Sequence, residues 1–303
     1  MDLSPIVLFV YNRPWHTRQT VEYLQNNELA DKSELIIYSD GFKFYADKPK
    51  VKEVRKYIGN LSGFKKIQII EHTENLGLAR SIVNGVTETI NRHGRVIVLE
   101  DDLLTSRYFL KFANDALKFY ENKEKVMHIS GYMYPIKPEG LSETFFLRPS
   151  SCWGWATWDR AWKYYEKDID KLYKTFTPKM KKRFNLDGAY NYWSQIKKNK
   201  KGKINSWAIF WYASIFVKNG LCLHPSVSMV DNIGHDGSGK HCGRSDNFQT
   251  NLTTQPTREF TLDFEENVEA LKRLKLFFHS ISDHPIHRVS KKIIEKIKKG
   301  EEN

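Results

Sequence analysis

At 303 residues the chain is long enough for one large α/β domain or two smaller ones, and 40% hydrophobic with 14% aromatic content excludes a disordered chain. No stretch approaches the roughly 18 uninterrupted apolar residues of a membrane span. The opening Met1-Asp2-Leu3-Ser4-Pro5 lacks the basic and apolar regions of a signal peptide, so a cytoplasmic protein is expected. The formal net charge of +12 predicts attraction to polyanions or an anionic membrane face, but no nucleic-acid-binding signature accompanies it.

The first half reads as repeating βα units. Ile6–Tyr11 is an apolar strand, and a helix follows from about Pro14 to Gln25, with proline in its first turn. Leu35–Tyr38 is the second strand, ending in Ser39-Asp40-Gly41, and Ile67–Ile70 is the third. A helix from about Leu78 to Arg92 leads into the fourth strand, Val96–Leu99. Strands at intervals of roughly 30 residues are what βαβ units with short loops require. Polar residues gather just after the strand ends, which is where open α/β sheets bind ligands. The layout is that of a nucleotide-binding half-domain.

The fourth strand runs straight into Glu100-Asp101-Asp102. Three carboxylates at the end of a buried strand repel one another unless a cation or water reaches them. Hard divalent cations favour carboxylate oxygens, and Mg²⁺ typically takes one or two of them plus substrate phosphates. The run is therefore a candidate metal–diphosphate site. The competing explanation is an acidic cap on the following helix.

Beyond Val126–Ser130 the character changes. Tyr132 to Trp211 contains Trp153, Trp155, Trp158, Trp162, Trp193, Trp207 and Trp211. Core packing accounts for about half of such residues; the remainder suit a saccharide platform, because sugar C–H faces stack on aromatic rings. Asn232–His241, with three glycines and two histidines, reads as a mobile loop able to close over a ligand. Lysines crowd 179–182, 197–203 and 291–299, and Ile286–Ile297 reads as a basic amphipathic helix suited to an anionic membrane surface. Cys152, Cys222 and Cys242 form no close pair and are expected to be reduced thiols.

Taken in order, Phe9–Pro14, Ser39-Asp40-Gly41, Asn75–Arg80, Glu100–Leu103, Cys152–Trp158 and the Gly/His loop resemble the GT-A nucleotide-sugar glycosyltransferases. The nearest likeness is to the family 2 enzymes of bacterial surface polysaccharide synthesis, with similarity also to N-acetylglucosaminyltransferase I; it covers about Ile6 to Gly243. The resemblance implies a Rossmann-like GT-A α/β fold, with a mixed, mainly parallel sheet flanked by helices. Residues 1–130 would form the nucleotide-sugar-binding half and 131–283 an aromatic-rich acceptor half, with 284–303 as the basic tail. It implies an inverting transfer of a hexosyl or N-acetylhexosaminyl group from a nucleoside-diphosphate sugar, a UDP-sugar first, to a hydroxyl of a surface-polysaccharide or lipid-linked oligosaccharide acceptor. Mn²⁺ or Mg²⁺ is the implied cofactor, ligated by Asp102. Arg13 would meet the diphosphate; Asp40 would contact base or ribose; Asn75 and Arg80 would line the donor pocket. Glu100 and Asp101 would bind ribose or sugar hydroxyls, His235 and His241 would fold over the diphosphate, and Trp153 and Trp155 would contact the acceptor.

One departure matters. Where N-acetylglucosaminyltransferase I carries its catalytic aspartate, the matching segment here is Ser206–Trp211, which holds no acid. An inverting transfer needs a general base, leaving Asp159, Glu166 and Asp187 as candidates. Two other readings stay open: a catalytically inactive carbohydrate-binding or scaffold protein, and a nucleotidyltransferase. The latter lacks a glycine-rich basic signature after the first strand.

Overall fold

Alternation along the aliphatic strands divides their side chains between two faces. Each face then needs its own layer of helices. A computed structural model of the protein describes residues 3–237 and 245–282; His241, Cys242 and the basic segment 286–297 lie outside the described residues. The strands are β1 (Ile6–Val10), β2 (Glu34–Ser39), β3 (Lys66–Glu71), β4 (Arg95–Glu100), β5 (Leu103–Thr105), β6 (Val126–Ser130), β7 (Thr144–Leu147), β8 (Trp155–Trp158), β9 (Leu221–Pro225) and β10 (Val230–Asn232). The helices are α1 (Pro14–Gln25), α2 (Lys48–Ile58), α3 (Leu78–His93), α4 (Phe109–Phe119), α5 (Asp159–Trp162), α6 (Ile169–Thr175), α7 (Pro178–Phe184), α8 (Trp193–Lys200), α9 (Ala208–Val217) and α10 (Val268–Ser282).

Eight strands form one sheet in the order β3-β2-β1-β4-β8-β6-β9-β7. The first four run parallel, β8 is antiparallel to β4 and β6, β9 is parallel to β6, and β7 is antiparallel to β9. The result is the expected mixed, mainly parallel sheet flanked by helices. Ile6, Leu8, Leu35, Ile37, Ile97 and Leu99 pack against α1, α2 and α4. Val7, Phe9, Ile36, Tyr38, Val96 and Val98 pack against α3. A third core joins α6 to α10 around Phe184, Trp193, Phe210 and Phe278. β6 ends at residue 130 yet lies between β8 and β9, so the sheet passes without a break between the two expected halves.

The tryptophans are mostly core. Trp155, Trp158, Trp162, Trp193, Trp207 and Trp211 are all 5% exposed or less. Trp155, expected to contact the acceptor, stacks on Trp207 and on His128 and is 1% exposed. Only Trp153 of the expected platform is partly open. Trp155→Ala is expected to cost about 3–5 kcal/mol of unfolding free energy, and Trp153→Ala less than half of that. Urea melts of the two variants check this, and equal costs would contradict the division.

Two histidines sit inside the same layer. His128 accepts a hydrogen bond from Trp211 Nε1 at 3.0 Å and donates through Nε2 to the Ser151 carbonyl at 2.9 Å. His224 donates through Nε2 to the Pro149 carbonyl at 3.0 Å. Burial pushes their pKa values down to about 3 and about 4. Both stay neutral when folded while the unfolded chain takes up protons below its pKa of about 6.5. Their contribution to stability is therefore complete above about pH 6.5 and is lost as pH falls toward 4. Urea unfolding of wild type and His128→Gln at a series of pH values isolates the His128 share from the opposite contribution of the buried acids: the stability difference between the two is expected to shrink as pH falls from about 6.5 toward 4, and a pH-independent difference would contradict it.

Candidate functional site

The strand order reverses direction at β1. From β1 the chain builds outward to β2 and β3 on one side, then returns to add β4 on the other. Open α/β sheets bind ligands in the crevice outside the carboxyl ends of their strands at such a switch point, here between β1 and β4. In register, Phe9 pairs with Glu100, so the Tyr11-Asn12-Arg13 turn faces Asp101 and Asp102 directly.

Arg13 supplies the cation that the acidic run demands. Its guanidinium donates to Asp102 at 2.7 Å and lies 3.9 Å from Asp101. The Asp101 carboxylate also accepts from the Tyr11 backbone N–H at 3.3 Å. Burial, reinforced by Asp102, raises the Asp101 carboxyl to about 7, against the pull of Arg13. Burial and the two neighbouring acids push Glu100 well above the usual carboxylate range. One guanidinium thus offsets the run only in part, and the site favours additional positive charge.

A second element closes on the same acids. β5 follows the run immediately and pairs antiparallel with β10, Asn232 opposite Leu103. The Ile233 N–H donates to the Asp102 carbonyl at 3.0 Å, fixing the start of the Gly/His loop against the acids. Gly234 sits so close that a Cβ there would collide with the Asp102 carboxylate. His235 packs against the rings of Trp153 and Phe248, each 5.3 Å away. Its Nε2 is buried and has no hydrogen-bond partner among the described residues, and burial lowers its pKa. Asp236 reaches Arg13 at 3.7 Å and His16 Nε2 at 3.0 Å, so the loop is latched to the first turn of α1.

Asp40, expected to contact base or ribose, is held at the end of β2 by its own hydrogen bonds. It accepts from the backbone N–H groups of Gly41, Leu76 and Gly77 and from Asn75 Nδ2, at 2.8–2.9 Å. Four donors occupy both carboxylate oxygens, so Asp40 holds the Asn75–Gly77 turn in place. Asn75 also donates to the Gly41 carbonyl at 2.7 Å. Close packing of Gly41 on the Glu74 backbone, with no room for a side chain, completes this wall. Arg80 follows on the first turn of α3, exposed. Tyr11 donates to Asp47 at 2.8 Å and accepts from the Lys43 N–H, joining the β2–α2 loop to the crevice.

The candidate bases do not gather here. β8 runs antiparallel to β4 with Trp158 opposite Arg95, and the Asp159 N–H donates to the Gly94 carbonyl. Asp159 therefore stands at the opposite end of β4 from Glu100, six residues or roughly 20 Å along the strand. Asp187 is ion-paired with Arg148 at 2.8 Å and with Lys275. Arg148 follows β7, four strands or roughly 19 Å from β4 across the sheet, and Asp187 bridges it to α10. Glu166 is exposed and paired with Lys171 at 2.8 Å. His16, Asp236 and Tyr11 were not anticipated; only their neighbours' motifs could have pointed to them. Among the described residues no three His, Cys, Asp or Glu side chains form a metal cage.

No protein-family model and no curated protein matches the chain. Among solved structures it is similar to a mannosyltransferase from Pyrobaculum calidifontis in complex with GDP-Man and Mn²⁺, at 11% identity, TM-score 0.38 and 72% of each chain covered. It is also similar to TarS of S. aureus, at 14% identity and TM-score 0.30, with 43% of this chain and 21% of that one covered. For residues 1–349 of TarS in complex with UDP-GlcNAc the identity is 15%, the TM-score 0.32 and the coverage 47% and 37%. The chain thus spans between 21% and 50% of the TarS chains it matches. Likenesses at this level carry no argument about activity.

Because Gly234 leaves no room for a side chain, Gly234→Ala is expected to push Asp102 and the loop apart. Nucleoside diphosphate affinity in Mn²⁺ should fall at least about tenfold with little change in melting temperature. Unaltered affinity by calorimetry would show that the close approach is incidental.

Proposed function

We propose that the chain is an inverting GT-A glycosyltransferase that moves a sugar from a nucleoside-diphosphate donor, a UDP-sugar first, to an oligosaccharide hydroxyl. The acceptor is a surface-polysaccharide or lipid-linked oligosaccharide at the cytoplasmic face. The observation that carries this reading is the Arg13–Asp102 pair, set among two further acids at the switch point. A guanidinium matches phosphate oxygens in planar, bidentate fashion. A donor diphosphate entering the crevice therefore gives Arg13 a better-placed anion than the crowded acids.

The donor set fits Mn²⁺ or Mg²⁺. A three-ligand protein cage is not required, since such ions take one or two carboxylates together with substrate phosphates. Asp102 offers a carboxylate, and His235 offers a ring nitrogen that is buried, without a hydrogen-bond partner among the described residues, and whose pKa burial lowers. When bound, the ion supplies positive charge to the leaving diphosphate. The chain's own residues do the rest. Arg13 neutralises phosphate, while Glu100 and Asp101 accept from sugar or ribose hydroxyls. The Asn75–Gly77 turn, braced by Asp40, walls the nucleotide side with Arg80 at its rim, and Trp153 presents a partly open ring for a sugar face.

A second reading, carbohydrate or nucleotide binding without turnover, is favoured by one observation: Asp159 and Asp187 lie far from the crevice and Glu166 is tied to Lys171. Incubation with a panel of sugar nucleotides and Mn²⁺ separates the two. Transfer or slow hydrolysis of one donor, abolished by EDTA and lowered at least about 100-fold in kcat/KM by Asp102→Asn, is expected. Binding without turnover of any donor would establish the second reading instead.

A further inference from the structure

We infer that α7 and α8 together form a cationic face that docks the protein on an anionic phospholipid bilayer. The two lysine runs are separated in sequence but not in space. Lys181 lies over the Trp193 ring at 4.8 Å and the Tyr173 ring at 5.8 Å, and Lys200 covers Tyr173 at 4.3 Å. Phe184 of α7 and Trp193 and Ile196 of α8 enter the same core cluster. The helices therefore lie side by side with their charged sides turned away from it. Lys179, Lys182, Arg183, Lys197, Lys198, Lys200, Lys201 and Lys203 are all exposed.

Acids cancel only part of this charge: of the eight exposed cations, Lys200 is neutralised by Asp170. Asp170 is paired one-to-one with Lys200 and Glu166 with Lys171, while Asp187 is taken by Arg148 and Lys275. The character of the face argues for lipid headgroups over other anions. All but one of its cations are lysines, strongly hydrated point charges without the fork that selects individual phosphates. Its aromatic rings are covered: Trp193 is 4% exposed and Tyr173 lies beneath two lysines. A single-stranded polynucleotide would need open rings on which to stack its bases. A smooth cationic surface without stacking rings suits the diffuse negative potential of a bilayer, where each added cation changes partition about fivefold. The inference stands apart from the glycosyltransferase reading, because no residue of the crevice takes part.

Vesicle co-sedimentation of the full chain tests it, with phosphatidylcholine vesicles against vesicles containing phosphatidylglycerol. The variant Lys179→Glu/Lys182→Glu/Lys197→Glu/Lys201→Glu is compared with Lys50→Glu/Lys52→Glu/Lys56→Glu/Lys118→Glu, an equal charge change on α2 and α4. Melting temperature monitors folding in both, and Lys→Gln changes at the first four positions provide a milder set. Wild type should sediment with the anionic vesicles only, in a salt-sensitive manner. The first variant should lose at least about 50-fold in partition and the Gln set less, with the second variant within about threefold of wild type. Absence of wild-type binding, equal losses in the two Glu variants, or full binding retained by the first would overturn the inference. So would a single-stranded oligonucleotide that binds wild type more tightly than the vesicles and is lost with the same four lysines.

Discussion

Carboxylates at the end of a buried strand set the terms for the surrounding structure. Two unit charges 4 Å apart in a partly buried setting repel by about 4 kcal/mol, and here three acids follow one another along β4 and its exit. Arg13 is the compensating charge, and its position follows from the sheet. Because β1 pairs with β4 in parallel, the residues leaving β1 arrive beside those leaving β4. Pro14 starts α1 at once, so the chain turns away without carrying Arg13 past the acids.

The same constraint explains the β5–β10 ribbon. It lies outside the main sheet and brings the segment after residue 230 back to the acids from more than 120 positions downstream. Gly234 lets the backbone approach the Asp102 carboxylate, and Asp236 shares Arg13 and His16 between loop and helix. The loop is thereby tied to the charge pair that a diphosphate would have to enter. Behind this polar edge, the Trp155–Trp162–Trp207–Trp211 layer and the neutral histidines form a stiff apolar wall.

The alternating parallel half was legible in the sequence because its strands are short apolar runs bounded by polar turns, and β1 to β4 lie where those runs predict. The acidic run and Arg13 were legible for the same reason, since both follow strand ends. The second half was harder to read. Trp155 and Trp153 are two residues apart and chemically identical, yet one is in the inner layer and the other beside His235. Only the pairing of β8 with β4 decides between them. The bracing of the Asn75–Gly77 turn by Asp40 was not legible, because an aspartate after a strand suits a ribose contact and a turn brace equally, and its four N–H donors come from residues up to 37 positions away. The place of Asp159 was not legible either, because it depends on β8 being antiparallel, which no local pattern records.

Crystals of the protein grown with a nucleoside diphosphate and Mn²⁺, with anomalous differences recorded at the manganese edge, test the central claim most directly. The account predicts an anomalous peak within coordination distance of the Asp102 carboxylate, with the Arg13 guanidinium turned from Asp102 onto the diphosphate. A nucleotide bound elsewhere, or a diphosphate in the crevice with the Arg13–Asp102 pair intact and no manganese beside it, would contradict it.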